Sequence, residues 1–460
     1  TRFGQRLRAA TMDRAMLDAL GVNPKPLMLG AVMLGCALAG LGGALQLPRE
    51  PANLQMDVNV IVETFVVVVT GGLGSIGGAF FAALLIGLIH ALGVSLFPQA
   101  TLVLVFLTMA VVLAVRPQGL MGQPLDAGPR EIIQKFHQPS VKRSLGALYF
   151  AAFFGLCALA WTGGEYTRSL ASDALILLIF GVSLQSMMAL GGLVSFGHAA
   201  FFGLGAYGAA LSHTQWGASL PVALAAGCAL ALAVAAVFGA AVVRSAGVYL
   251  AMLSLALAQV IWATATQWVA LTGGDNGVIG LRLVSDDTRP LFFVLLVFVA
   301  GLSVAALSRL AGSTFGAALQ AVRDTPQRAA ASGLPVNGIK YRIFVESAVL
   351  AGLAGGLAAA HKGAVFPSAA SVATSVDALL VVLLGGVHQL WGAAVGSAVL
   401  TWASAELGSS VAVLRDYWRG ALGVFVMAIM VLSPSGLLGL LQRMKGARRA
   451  ASPADPGGSR

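Results

Sequence analysis

The chain has 460 residues, of which 58% are hydrophobic and only 10% are charged, and its formal net charge is +10. Because soluble globular domains have about 25% charged residues, this composition excludes a large soluble core. The basic excess does not indicate nucleic-acid binding, since Lys and Arg are concentrated in a few segments between long apolar runs, as in cytoplasmic loops of membrane proteins. The runs are continuous rather than alternating, which excludes a membrane β-barrel.

The apolar runs predict an all-α fold, a polytopic transmembrane helical bundle of about 14 membrane segments in two homologous units. In chain order, we expect segments near residues 27–47, 58–70, 79–97, 100–115, 144–162, 173–189, 198–213, 219–243, 247–270, 290–308, 343–361, 376–387, 390–408 and 420–440. With alternating segments, 21 of the 28 Lys and Arg residues lie on one side. That side is predicted to be cytoplasmic, with both termini and the loop at 309–342.

An internal repeat organises the chain. Phe315–Gly333 matches Phe3–Gly21 at a constant offset of 312 positions, and later glycine landmarks follow in the same order at offsets of 314 and 317. Such a series of matches indicates duplicated architecture. Four regions are predicted: a first membrane unit at 1–122, a cytoplasmic linker at 123–143, a second unit at 144–442 and a disordered basic tail at 443–460.

Each repeat begins with a short, sharply bounded helix on the basic side. In the second copy, Thr325 is suited to cap the helix, Pro326 fits its first position, and Gly333 fits a left-handed C-cap. We interpret these helices as docking elements through which a partner moves the membrane segments; the alternative is an ordinary interfacial helix. Arginines 14, 323 and 328 are expected to pair with acids on the partner. The residues assigned to docking are Asp13, Arg14, Leu20, Gly21, Arg323, Thr325, Pro326, Arg328 and Gly333.

Two further patterns suggest breaks in membrane helices. The pairs Gly71–Gly72 and Gly385–Gly386 each end a short apolar run, which predicts either a break lining a translocation path or a tight glycine hairpin. The segment Leu190–Tyr207 combines small residues with polar groups at membrane depth, either for the pathway or for packing. Its assigned residues are Ser195, Gly197, His198, Gly203 and Gly205.

Leu190–Tyr207 closely resembles the M-type signature in the permease family of branched-chain amino acid ABC transporters. Thr272–Gly280 resembles the external loop motif of that subunit, and Phe315–Asn337 resembles its ATPase-docking loop. Residues 144–442 therefore resemble a complete M-type permease, and 1–122 resemble the C-terminal part of an H-type permease, as in a fused polypeptide.

The resemblance implies a multi-pass protein of the bacterial inner membrane that lies in the lipid bilayer. Its implied partners are two cytoplasmic ATPase subunits and a periplasmic substrate-binding protein, with a second permease chain as a further candidate. Branched-chain or related small amino acids are the implied solutes, with urea or short amides as alternatives. Because the chain opens at Thr1 within a predicted cytoplasmic helix, we expect a further segment upstream.

The absence of other motifs bears on function. No G-x-x-x-x-G-K-[ST] run is present, so no bound cofactor is expected and ATP would be used by partner subunits. No His, Cys and Asp cluster has metal-ligand spacing, and no nucleophile elbow is present, so an enzyme is disfavoured. An ion-coupled secondary transporter stays open as an alternative, with Glu63 or Glu406 facing a bundle interior as its coupling acid.

Overall fold

The computed structural model describes residues 1–48, 51–52, 56–72, 74–97, 101–116, 118–122, 164–243, 247–409, 418–433 and 435–439. The described α-helices are α1 (Arg2–Met12), α2 (Arg14–Ala19), α3 (Pro24–Gln46), α4 (Met56–Gly71), α5 (Ile76–Leu96), α6 (Thr101–Val115), α7 (Glu165–Gln185), α8 (Ala199–Trp216), α9 (Leu220–Val242), α10 (Val248–Gln267), α11 (Val269–Thr272), α12 (Arg289–Gly312), α13 (Thr314–Asp324), α14 (Pro326–Ala331), α15 (Val336–Lys362), α16 (Val372–Gly385), α17 (Gly392–Ser409) and α18 (Trp418–Leu432). Two short strands, β1 (Val278–Ile279) and β2 (Ala364–Val365), pair antiparallel.

The helical fold class is confirmed, because helices dominate the described residues and one two-stranded sheet is the exception. Of the predicted membrane segments, 144–162 lies outside the described residues, and each of the others coincides with a helix. Eight helices of the described part are long and apolar enough to cross a membrane. Helices α4, α6 and α16 are apolar but shorter, so the count of 14 segments stays a prediction.

The described residues form two compact units, one containing residues 1–65 and the other continuing from residue 66. In the first unit, α1 and α2 pack against α3, with Ala10 and Leu17 buried. Helix α3 itself buries no residue, so its apolar surface requires a bilayer or another apolar partner to cover it. The predicted linker at 123–143 and tail at 443–460 lie outside the described residues.

The core of the second unit is built where α8, α9 and α15 pack together. Glycines allow this packing because their backbones approach too closely for a side chain. A Cβ atom added to Gly205 would lie 1.9 Å from the carbonyl oxygen of Gly352, and one added to Gly208 would lie 2.8 Å from the Cα of Gly227. Helices α7, α16 and α17 pack around this core, and α6 packs against α10.

Candidate functional site

The repeated helix pairs have the same local geometry. Helices α1 and α2 have bounds that differ from those of α13 and α14 by 312 positions at every end. The side chains of Thr1 and Ser313 cap α1 and α13 by accepting from backbone N–H groups three residues later. Gly21 and Gly333 end the pairs in the left-handed conformation, with φ of 78° and 83°, as a helix C-cap requires. The predicted repeat therefore has a physical counterpart in local structure.

The capping of the second helix differs between the copies. Asp13 accepts a hydrogen bond from the backbone N–H of Met16 at 3.0 Å, as its position predicts. Thr325 makes no side-chain capping bond, so its predicted capping role is wrong, although Pro326 does occupy the first helical position. Proline has no N–H, so the second copy has one fewer orphan donor at the start of its helix than the first copy.

The predicted docking side chains divide into exposed and buried groups. Arg14, Arg328 and Leu20 are exposed on the short helices. Arg323 is 7% exposed, and its guanidinium bonds within the chain. The prediction that Arg323 pairs with an acid on a partner is therefore corrected.

Arg323 connects the helix pair α13–α14 to α7. Its Nη1 group donates to the backbone carbonyl of Ala189, and its Nε group donates to Asp324 Oδ1 at 2.8 Å. The aliphatic part of the side chain lies over Gly192, where an added Cβ would approach Arg323 Cγ to 2.5 Å. A single buried side chain thus holds the end of α7 against the first helix of the pair.

The contact with Arg323 falls at a break between α7 and α8. Helix α7 ends in a π-helical turn at Ser186–Leu190, and the chain then runs without regular helix to α8. Gly192 has φ of 64° within this stretch, a conformation that disfavours other residues. A π-helical turn interrupts the regular i to i−4 hydrogen bonding of an α-helix, and such turns are frequent at functional sites. The Leu190–Tyr207 signature is therefore a helix break followed by a tightly packed helix.

Hydroxyl groups from three helices brace the break. Ser183 Oγ of α7 lies 2.8 Å from His198 Nε2. Ser254 of α10 accepts from the Phe196 backbone N–H at 3.2 Å, and Ser375 of α16 accepts from the Ala199 backbone N–H at 2.9 Å. The bonds from Phe196 and Ala199 satisfy backbone N–H groups that a broken helix leaves without intrahelical partners. The sequence did not predict the role of these serines, because a serine hydroxyl in an apolar helix often bonds only to a backbone carbonyl in the preceding turn of its own helix.

His198 is fully buried against the helices around the break. Its ring stacks on Phe180 with centroids 5.6 Å apart. Ser183 donates its hydroxyl proton to the Phe180 carbonyl at 2.6 Å, so the His198 Nε2–H group is assigned as the donor to Ser183 Oγ. This arrangement favours the packing alternative for His198. Ser195 is also buried, and its hydroxyl has no hydrogen bond within the described residues; its pathway role stays a prediction.

The glycines of the signature lie at close backbone contacts. A Cβ added to Gly197 would lie 1.7 Å from the carbonyl oxygen of Ser254, and one added to Gly203 would lie 2.6 Å from Ala370 Cβ. Neither position therefore accepts a side chain without a shift of its neighbours. Close helix packing is therefore sufficient to explain why glycine is found at these positions, as it is for Gly205 in the core.

The Gly385–Gly386 pair forms a tight hairpin between α16 and α17. An added Cβ on Gly385 would lie 1.7 Å from the carbonyl oxygen of Gly392, and Gly386 has φ of 111°. Gln185 of α7 fastens the turn: its Nε2 donates to the carbonyls of Val387 and Gln389, and its Oε1 accepts from the Ala393 N–H. The hairpin is thereby bonded to α7 directly before the π-helical turn. A path-lining role for these glycines stays a prediction.

The first copy repeats this hairpin geometry. An added Cβ on Gly71 would lie 2.4 Å from the carbonyl carbon of Gly78, and Gly72 has φ of 101°. Gly119 and Gly436 lie against the hairpins of the first and second copies, with φ of 79° and 76°. The local turn is therefore duplicated together with the helix pairs.

The two acids considered for ion coupling are exposed, which corrects the expectation that Glu63 and Glu406 face a bundle interior. No group of three or more metal-ligating side chains occurs in the described part of the chain. The arrangement at the α7–α8 break is instead suited to transmit movement, because it joins the helix pair, the π-helical turn and the glycine hairpin through buried polar contacts.

Comparison with known proteins gives the family. A family model described as the permease component of a branched-chain amino acid transport system matches residues 1–115 and 166–433. The chain is 27% identical over 367 residues to the high-affinity branched-chain amino acid permease LivM of Escherichia coli K12, which covers 73% of this chain and 84% of that protein. It is 30% identical over 127 residues to LivH of the same strain, covering 27% of this chain and 41% of that protein. No solved structure matches significantly. Since the family match covers most of the chain, the chain belongs to the permease family of branched-chain amino acid transport systems.

Proposed function

We propose that this membrane permease imports branched-chain or related small amino acids as part of an ATP-binding-cassette transporter. The solute class follows from the similarity to LivM and LivH, which are branched-chain amino acid permeases, with urea or short amides as alternatives. The chain would lie in a bacterial inner membrane with its termini in the cytoplasm. It would bind no cofactor itself, and separate ATPase subunits would use the ATP.

Two ATPase subunits would dock on the repeated helix pairs α1–α2 and α13–α14. The shared geometry of the pairs supports equivalent partners, and the exposed Arg14 and Arg328 occupy corresponding helices. Guanidinium groups form strong charge-assisted bonds with carboxylates. A periplasmic binding protein would deliver solute at the opposite end of the bundle, and a second permease chain could complete the pore.

The contact of Arg323 with Ala189 is the observation that carries this proposal. It gives the α13–α14 pair a direct connection to the α7–α8 break inside the bundle. Movement of a docked ATPase would then reach the break through the arginine rather than through a flexible loop. An ion-coupled transporter lacks comparable support, because Glu63 and Glu406 are exposed.

Co-purification with the ATPase subunits tests the docking role. We expect the double variant Arg14→Glu and Arg328→Glu to lose ATPase binding, since each change reverses the charge offered to the partner. The matched control is Arg282→Glu, an exposed arginine outside the helix pairs, which should leave binding intact. Retained binding and unchanged ATP hydrolysis in the double variant would contradict the proposed interface.

A further inference from the structure

A charged cavity of about 400 Å³ lies where α7, α12 and α15 come together. It is lined by the first residues of α7 and α12 and by the last residues of α15. Helix α12 has 24 residues between the cavity and the α13–α14 pair, which corresponds to about 36 Å at 1.5 Å per residue. The cavity therefore opens at the end of the bundle opposite the proposed ATPase contacts.

Charges of both signs line this cavity. Glu165 and Asp173 supply carboxylates and Arg168 supplies a cation from α7, while Arg289 and Lys362 supply cations from α12 and α15. The Arg289–Glu165 pair has side chains 55% and 77% exposed, and exposed pairs contribute little and exchange readily with other partners. The Nε2 atom of His361 lies 3.9 Å from Asp173 Oδ1.

The cavity also has an apolar wall. Phe292 and Phe293 are buried on α12, and Leu281 lies on the loop that leads from β1. The backbone N–H of Leu281 donates to the Gly363 carbonyl at 2.9 Å, which fixes this loop against the end of α15. A cavity of this size with a few convergent polar groups is typical of a small-ligand site.

We propose that this cavity binds a free aliphatic amino acid as a zwitterion. Lys362 would bind the α-carboxylate and Asp173 the α-ammonium, while the branched side chain would lie against Phe292 and Leu281. A ligand carrying only one charge would leave either Asp173 or Lys362 without a partner on the ligand. The inference rests on the proposed function and names the place where the solute first meets the chain.

Equilibrium binding tests the site without the partner proteins. The full chain in nanodiscs of phosphatidylcholine is titrated with radiolabelled leucine, with 4-methylpentanoate and 3-methylbutylamine as competitors that lack one charge each. We expect saturable leucine binding that neither competitor displaces. Asp173→Asn and Lys362→Gln should each weaken it about ten-fold or more, because each removes a charge-assisted hydrogen bond. Asp287→Asn and Arg282→Gln, exposed residues outside the cavity, should not.

Several outcomes would overturn the site. The first is that the chain binds no leucine although the assembled transporter, with its binding protein and ATPases, still imports leucine. That result would refute the cavity as the site and leave the proposed function intact. Equal weakening by the control substitutions would indicate a general charge effect. A third outcome is that the chain binds no leucine but retains phosphatidylethanolamine through purification, and that Asp173→Asn loses this lipid. That result would assign the cavity to a lipid headgroup. Failure of both leucine binding and leucine import would instead refute the proposed solute class as well.

Discussion

Replacing Arg323 with alanine should uncouple ATP hydrolysis from transport without releasing the ATPase. The substitution removes the donor to the Ala189 carbonyl, the ion pair with Asp324 and the aliphatic contact with Gly192. It leaves Arg328, the exposed arginine of the same helix pair, in place. The helix pair would therefore still present its docking surface but lose its buried connection to the bundle.

The expected magnitude follows from the buried hydrogen bond. The Arg323 side chain is 4% exposed, so water is poorly placed to replace the guanidinium at the carbonyl. A hydrogen bond to a charged group contributes about 1.5–3 kcal/mol, which corresponds to roughly 10- to 150-fold in an equilibrium. We expect transport per ATP hydrolysed to fall by at least about ten-fold.

The assay measures leucine uptake and ATP hydrolysis in proteoliposomes, together with ATPase co-purification. Thr11→Ala is the matched control, because Thr11 occupies the corresponding position of the first copy and its hydroxyl bonds only to the Arg8 carbonyl at 2.8 Å. Arg323→Lys should recover part of the coupling through its remaining positive charge. Unchanged transport per ATP in Arg323→Ala would refute the reasoning, and loss of ATPase binding in step with transport would reassign the arginine to docking.

Three further changes test the packing around the break. Gly205→Ala should lower the thermal unfolding temperature because its Cβ would meet a carbonyl oxygen at 1.9 Å, whereas Gly301→Ala, with open space around it, should be neutral or gain up to about 1 kcal/mol of helix stability. Gln185→Leu should destabilise the protein by about 1–3 kcal/mol for each buried group left without a partner, measured by denaturant titration where unfolding is reversible. His198→Gln retains an N–H donor for Ser183 but loses the ring that stacks on Phe180, so the melting temperature should fall while the folded protein still transports. Lost transport at unchanged melting temperature would place His198 on the solute path.

Local features of the fold could be predicted well from the sequence. The constant offset predicted that the helix pairs repeat, and the bounds of α1–α2 and α13–α14 agree with it. Gly333 was predictable as a C-cap because the left-handed conformation strongly favours glycine at the end of a helix. Such features depend on a few neighbouring residues, so they can be predicted from a single sequence.

The polar contacts across the bundle could not be predicted in the same way. Gln185 bonds residues about 200 positions later, and Arg323 bonds a carbonyl 134 positions earlier. Both side chains belong to types that are common on surfaces, and sequence spacing does not reveal which backbone groups a helix break leaves without partners. Arg323 was therefore interpreted as a partner contact, although the side chain is buried and its guanidinium donates to the Ala189 carbonyl.

The two helix pairs are alike in shape but differ in how they join the membrane helices. Thr11 occupies the position in the first copy that Arg323 occupies in the second, and its hydroxyl bonds within its own helix. Arg323 instead reaches the α7–α8 break through a buried hydrogen bond. Equivalent docking of two ATPase subunits would then produce unequal effects inside the bundle, because only the second pair has this arginine. Placing arginine at residue 11 would not transfer the connection, since the arginine acts through a carbonyl of the π-helical turn, that of Ala189.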